Sequence, residues 1–247
     1  MPQTHKGPAQ TAALVTAPGG FFMTLRDVAF WIRSSRADSA INGARREHGA
    51  AAAFDRLYAR TSDPFGAELP QYRYQQRKYN SLLSMLPQRR YRNVLDIGCG
   101  LGAFTRKLAP FADAVLGTDI SEVAMSQARK LSIGYPNVKY SLEPMLEAPA
   151  DEAVFDLIVL ADTLYYMDSL NTERLRCISH NIASRLVPGG LLLLVNHFFF
   201  GFDRASRQTR ATHDVFRCAP LLDCVAEHRR AFFLATVLRR SDRKVGL

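Results

Sequence analysis

Apolar positions along the chain switch between two spacings, and the switches mark the elements. From Phe21 to Arg36, the residues Phe22, Leu25, Val28, Ala29 and Ile32 recur at helical intervals and predict an amphipathic helix. Its apolar stripe is expected to pack on the main domain or a partner, with a targeting or membrane-surface helix as the alternative. A second helix is expected over 50–60, and Thr61-Ser62-Asp63-Pro64-Phe65-Gly66 then interrupts the pattern with turn residues. Tyr79, Leu82, Leu83 and Leu86 share one face of a helix over 72–86, which Pro87 ends. Residues 93–97 form a short buried strand that runs into a glycine-rich turn, and Phe104, Leu108 and Phe111 mark the helix after it. Strands follow over 114–119, through Val138, Tyr140 and Leu142, and over 155–160; Ser121 is a candidate helix N-cap. Leu175, Ile178, Ile182 and Leu186 give another helix, stopped by Pro188-Gly189-Gly190, and 191–195 is a fifth strand.

This alternation predicts an α/β fold with a doubly wound, mostly parallel sheet. The end of the chain differs. Runs over 222–228 and 231–238 lie too close together for a helical crossover, so they should pair antiparallel. Residues 1–20, rich in Pro, Gly, Ala and Thr, read as a disordered arm. The expected organisation is arm and helical extension over 1–60, then one domain over 61–247 whose first part, 61–90, forms a lid.

Composition adds boundaries. The 247 residues are 47% hydrophobic and 22% charged, which excludes a wholly disordered chain, a collagen-like chain and a simple coiled coil. The formal charge of +9 leaves nucleic acid, membrane surface and acidic ligands open as partners. The longest apolar runs fall far short of the roughly 20 residues of a membrane span, and 1–20 lacks the order of a signal peptide. Cys99, Cys177, Cys218 and Cys224 contain no C-x-x-C pair, so neither zinc nor a disulfide framework is expected. Reduced thiols point to the cytoplasm.

The chemistry concentrates in Val94-Leu95-Asp96-Ile97-Gly98-Cys99-Gly100-Leu101-Gly102. Glycines between strand and helix let a ligand approach the backbone. Asp119, at the end of the next strand, can accept from both hydroxyls of a ribose, which suggests an adenosine-containing cofactor. Gly98-x-Gly100-x-x-Ala103 fits a relaxed dinucleotide fingerprint. S-adenosylmethionine fits better: Asp96 suits a cationic ligand, the third glycine falls at Gly102, and the closing pair is antiparallel.

With Phe155-Asp156-Leu157-Ile158-Val159 and Leu186-Val187-Pro188-Gly189-Gly190 in the same order, the chain resembles the class I S-adenosylmethionine-dependent methyltransferases over about 61–240. The resemblance implies a Rossmann-like, seven-stranded sheet whose last strand is antiparallel. It implies that Gly98, Gly100 and Gly102 give the cofactor backbone access. Asp96 would hold its amino end, Asp119 its ribose, and Ile120, Met145 and Leu160 its remaining apolar surroundings. Asp63-Pro64-Phe65-Gly66, Tyr74-Gln75-Gln76-Arg77-Lys78-Tyr79 and Leu164-Tyr165-Tyr166 further resemble the nodulation protein S branch, which N-methylates an amino sugar. There Phe65 and Arg77 would close over the cofactor, although the branch pattern has Trp at the position of Phe65 and Glu at that of Gln75. Asp162, Tyr165 and Tyr166 follow the fourth strand, where the methyl group should point, and His197 and His213 are candidate proton acceptors.

The expected function is methyl transfer to a small-molecule acceptor, with an amine nitrogen of an amino sugar or natural product favoured. An RNA methyltransferase is a second reading, resting on Arg204, Arg207, Arg210, Arg217, Arg229 and Arg230 and the basic tail beyond them. These cations are scattered without an RNA-binding module, so nucleic acid is disfavoured. A non-catalytic, cofactor-binding scaffold is the third reading.

Overall fold

The computed structural model describes residues 25–70, 73–87, 89–146, 154–167, 170–199, 201–230 and 232–241. The arm expected over 1–20 lies outside the described residues. Strands β1 (Tyr91–Ile97), β2 (Ala112–Asp119), β3 (Val138–Leu142), β4 (Phe155–Ala161) and β5 (Leu186–Phe198) are parallel where they pair. β7 (Phe232–Arg240) lies antiparallel between β5 and β6 (Leu222–Arg230), giving the order β3-β2-β1-β4-β5-β7-β6. This is the seven-stranded sheet with a reversed last strand that the sequence resemblance implied. None of the described helices is long and apolar enough to cross a membrane.

Helices cover both faces because strand residues alternate between them. Val94, Val115, Leu157, Val159 and Leu193 face Leu82 of α3 (Arg73–Met85) and Phe104 and Leu108 of α4 (Ala103–Leu108). Leu95, Ile158, Leu160 and Leu192 face Ile178 and Ile182 of α6 (Thr172–Arg185) and Phe216 of α7 (Arg204–Arg217). Each such Leu, Ile or Phe contributes about 1.5–3 kcal/mol by leaving water. A third cluster joins Ile41 of α1 (Leu25–His48), Phe54 and Tyr58 of α2 (Ala50–Arg60) and Met125 of α5 (Glu122–Leu131). Ser121 caps α5 as expected, its hydroxyl accepting from the Ala124 N–H at 3.1 Å.

Three details depart from expectation. The first helix runs on to His48, and it buries Phe30, Ala37 and Ile41 while Val28 and Ile32 are 43% and 50% exposed. Packing decides the face, since the Phe30 ring stacks on Tyr74 with centroids 5.0 Å apart. The helix after the glycine turn stops at Leu108, because Pro110 has no N–H to continue it, and Phe111 is left exposed. Leu186 belongs to β5 rather than α6. It pairs with Phe155, and Pro188-Gly189-Gly190 bulges out before Leu191 pairs with Leu157, with Gly189 at φ +72°.

Candidate active site

The glycine turn is tied to the edge of the sheet before any ligand is considered. The N–H groups of Gly98 and Cys99 both donate to the Thr118 carbonyl, at 2.7 and 3.0 Å. Gly98, Gly100 and Gly102 have φ of +73°, +54° and +78°, a region that disfavours side chains. A Cβ on Gly98 would collide with Thr163, and one on Gly102 with the Tyr140 hydroxyl. Beyond this turn the carboxyl ends of β1, β2 and β4 open into a cavity of about 480 Å³, walled on the other side by α1, α2 and α3.

At one end stand two carboxylates. Asp119 accepts from the Gly100 N–H and the Ser121 N–H, each at 3.0 Å, one on each oxygen. A carboxylate offers about four lone-pair sites, so both oxygens retain acceptor capacity. Asp96 is 3% exposed and accepts from the Thr105 hydroxyl at 2.7 Å. Burial pushes its carboxyl up to about 6; the Thr105 bond opposes that rise and Asp119 adds to it. Ile120 and Met145 line the same cavity.

At the other end, β4 delivers Asp162 in the left-handed region, φ +54°, with its N–H held by the Val195 carbonyl at 2.9 Å. A non-glycine residue there is strained by about 1–3 kcal/mol, a cost commonly tolerated at functional sites. Its Oδ2 pairs with the buried Lys78 ammonium, while its Oδ1 is buried with no hydrogen-bond partner. The Tyr166 hydroxyl donates to Asp38 of α1. Rings then continue from one to the next: Tyr166 to Tyr165 and Tyr165 to His197, both at 4.3 Å, then His197 to Phe199 at 5.3 Å. Phe199 meets Phe232, Phe232 meets Tyr74, and Tyr74 stacks on Phe30, so a belt of rings encloses this end. Burial lowers the pKa of His197, which keeps the ring neutral at pH 7.

The structure brings Phe65, Asp96, Gly98, Gly100, Asp119, Ile120, Met145, Asp162, Tyr165, Tyr166 and His197 to this one cavity. Four expected residues do not line it. Arg77 points elsewhere on α3, and its neighbour Lys78 supplies the cation instead. Gly102 makes room for Tyr140 rather than for a ligand. Leu160 is 1% exposed and faces α6, because its position in β4 alternates away from the cavity side. His213 is buried against β5 and β7, bonded to the Thr236 hydroxyl at 2.7 Å and Asn196 Oδ1 at 3.2 Å. Burial, with Arg210 and Arg217 nearby, holds its pKa down to about 3.

Sequence reasoning missed Lys78, Tyr58 and Asp38. Helical spacing carried a signal for two of them: Tyr74, Lys78 and Leu82 share one buried face, and Phe30, Ser34 and Asp38 another stripe. Part of the late basic cluster is absorbed by the fold, since Arg210 and Arg217 both reach Glu227.

The start of the 61–90 segment, expected to form a lid, is tied down by its own contacts. Asp63 accepts from the N–H groups of Ala67, Glu68 and Leu69 at 2.9–3.0 Å, and Glu68 pairs with Arg106 of α4.

Comparison with known proteins gives this geometry its relatives. The nodulation protein S of Sinorhizobium fredii is 30% identical over 129 residues, covering 52% of this chain and 56% of that protein. That of Rhizobium tropici is 31% identical over 132 residues, covering 53% and 52%. The chain thus spans about half the length of the curated relatives it matches. A malonyl-[acyl-carrier protein] O-methyltransferase from Enterobacter lignolyticus is 30% identical over 132 residues, covering 52% of this chain and 49% of that protein. Among solved structures, the N-methyltransferase NodS from Bradyrhizobium japonicum WM9 in complex with S-adenosyl-L-homocysteine superposes with a TM-score of 0.62 at 23% identity. It covers 76% of this chain and 98% of its own, a likeness of fold. The family model for nodulation protein S (NodS) matches residues 55–214, from α2 to α7 and across the whole glycine-turn cavity edge, and the chain belongs to that family.

Proposed function

We propose that the protein is an S-adenosylmethionine-dependent methyltransferase acting on a small-molecule acceptor, with the amine nitrogen of an amino sugar or natural product as the methylated atom. The observation that carries this reading is that one cavity joins the Asp96, Gly98 and Asp119 end to the Asp162, Tyr165 and His197 end. The residues fit the cofactor. Gly98 and Gly100 leave the backbone bare, Asp119 keeps acceptor capacity for ribose hydroxyls, and buried Asp96 is stabilised as a carboxylate by a cationic amino group. When bound, the cofactor would supply a methyl group on a sulfonium, open to an acceptor's lone pair, with the carbon–sulfur electrons left on sulfur.

The chain's own contribution is alignment and exclusion of water. Tyr165, Tyr166 and neutral His197 wall the acceptor side beside Asp162. Calorimetry tests the cofactor: S-adenosyl-L-homocysteine should bind and NAD should not. Product mass spectrometry with isotope-labelled S-adenosylmethionine and candidate amines tests the transfer. Binding of NAD without binding of S-adenosyl-L-homocysteine overturns the proposal.

A further inference from the structure

α1 precedes the start of the family match at residue 55. α1 sends Phe30, Ser34 and Asp38 into the cavity, four residues apart and therefore on one stripe of the helix. We propose that α1 is the acceptor-selecting element of this chain, and that it selects a small amine with an apolar body, bound as its ammonium between Asp38 and Asp162. The inference rests on the methyltransferase reading and deepens it.

Asp38 and Asp162 both face this end, together with the cations Lys78 and Arg174. Lys78 pairs with Asp162, and among the described residues no cation pairs with Asp38. Asp38 receives the Tyr166 hydroxyl, a neutral donor that does not cancel its charge. A half-buried carboxylate without a cation is costly, and a cationic guest removes that cost. The Oδ1 of Asp162 is buried without a hydrogen-bond partner, at the same end of the cavity as Asp38. An ammonium carries three donors, and a small rotation of the Asp162 carboxylate would let it satisfy this acceptor as well as Asp38.

A belt of rings runs around the same end from Phe30 through Tyr74, Phe232 and Phe199 to Tyr165. Aromatic faces attract a desolvated cation and also accommodate an apolar body next to it. Size points the same way. About 480 Å³ must hold the cofactor as well as the acceptor, and α1 lines the acceptor end, so the space favours a small guest. Methyl transfer from this bound state requires one ammonium proton to leave. The Asp38 carboxylate, whose proton affinity burial and Asp162 both raise, takes it and frees the nitrogen lone pair.

The test uses three probes titrated by calorimetry into the full chain saturated with S-adenosyl-L-homocysteine: 2-phenylethylamine, the neutral 2-phenylethanol of the same shape, and a glucosamine trimer. The amine should bind at least tenfold more tightly than the alcohol and than the trimer. Asp38→Asn should weaken amine binding tenfold or more, Asp38→Glu should recover part of it, and both should bind S-adenosyl-L-homocysteine within twofold of wild type, which also reports that they fold. Equal binding of amine and alcohol, tighter binding of the trimer, no binding of any probe, or an Asp38→Asn protein that binds the amine normally overturns the inference while the cofactor reading stands. Failure of the wild-type chain to bind S-adenosyl-L-homocysteine removes the methyltransferase reading itself, and the inference with it.

Discussion

Asp96 lies two residues before the glycine turn and Asp119 meets it from the end of the next strand, yet the fold treats them differently. Asp119 is already braced by two backbone N–H groups, so its carboxylate is positioned before a ribose arrives. Asp119→Ala should weaken S-adenosyl-L-homocysteine binding by about 1–3 kcal/mol, measured by calorimetry. Asp96 has only the Thr105 hydroxyl, and burial leaves its carboxyl titrating at about 6. A cationic amino group binds the ionised form, so affinity should fall as pH drops through about 6, by up to tenfold per unit. Asp96→Asn should bind weakly with no such slope between pH 5 and 7.5. In the ligand-free protein the sign reverses. The folded state holds this proton more tightly than the unfolded chain, so the stability contributed by Asp96 is full below about 4 and is lost as pH rises through 6. At this scale the sequence was legible where a residue type is tied to a turn, as with Gly98, Gly100 and Asp119. It was not legible at Arg77 and Lys78, adjacent cations of which only one faces the cavity: a helix turns 100° per residue, and packing sets which face is buried.

The strands were the most readable elements, because a buried parallel strand is a short apolar run whichever way its side chains point. The same property hid the placement of Leu160. All of 157–160 is apolar, so nothing in the run says which parity faces the cavity. The first helix failed for a related reason. Val28 and Ile32 make a plausible stripe, but the third cluster and the Phe30–Tyr74 stack select the stripe through Ile41 instead. The glycine turn carries its own prediction. Gly102 combines φ +78° with the Tyr140 hydroxyl in the space a Cβ would need. Gly102→Ala should cost at least about 1–2 kcal/mol from the backbone alone, read as a lower denaturation midpoint, with further loss from displaced Tyr140.

Across the molecule, the two sheet-facing clusters hold the seven strands, and the third cluster holds α1 and α2 to α5. The first two follow from strand–helix alternation and were foreseeable; the third depends on contacts between segments more than 60 residues apart, for which the sequence offers no local sign. Ile41 is 1% exposed at the centre of that third cluster. Ile41→Ala should cost about 2–4 kcal/mol, felt locally. Amide hydrogen exchange should quicken in α1 and leave β1, β4 and β5 unchanged; uniform quickening would show that the sheet depends on α1. Most of the wall opposite the sheet edge comes from 30–79, whereas the floor at the glycine turn comes from 96–120 and 143–146. These stretches of gene do not overlap. Mutations that reshape the wall therefore leave the codons of the floor untouched, and on the proposed function residues 30–79 can drift toward a new acceptor while 96–120 and 143–146 are inherited unchanged.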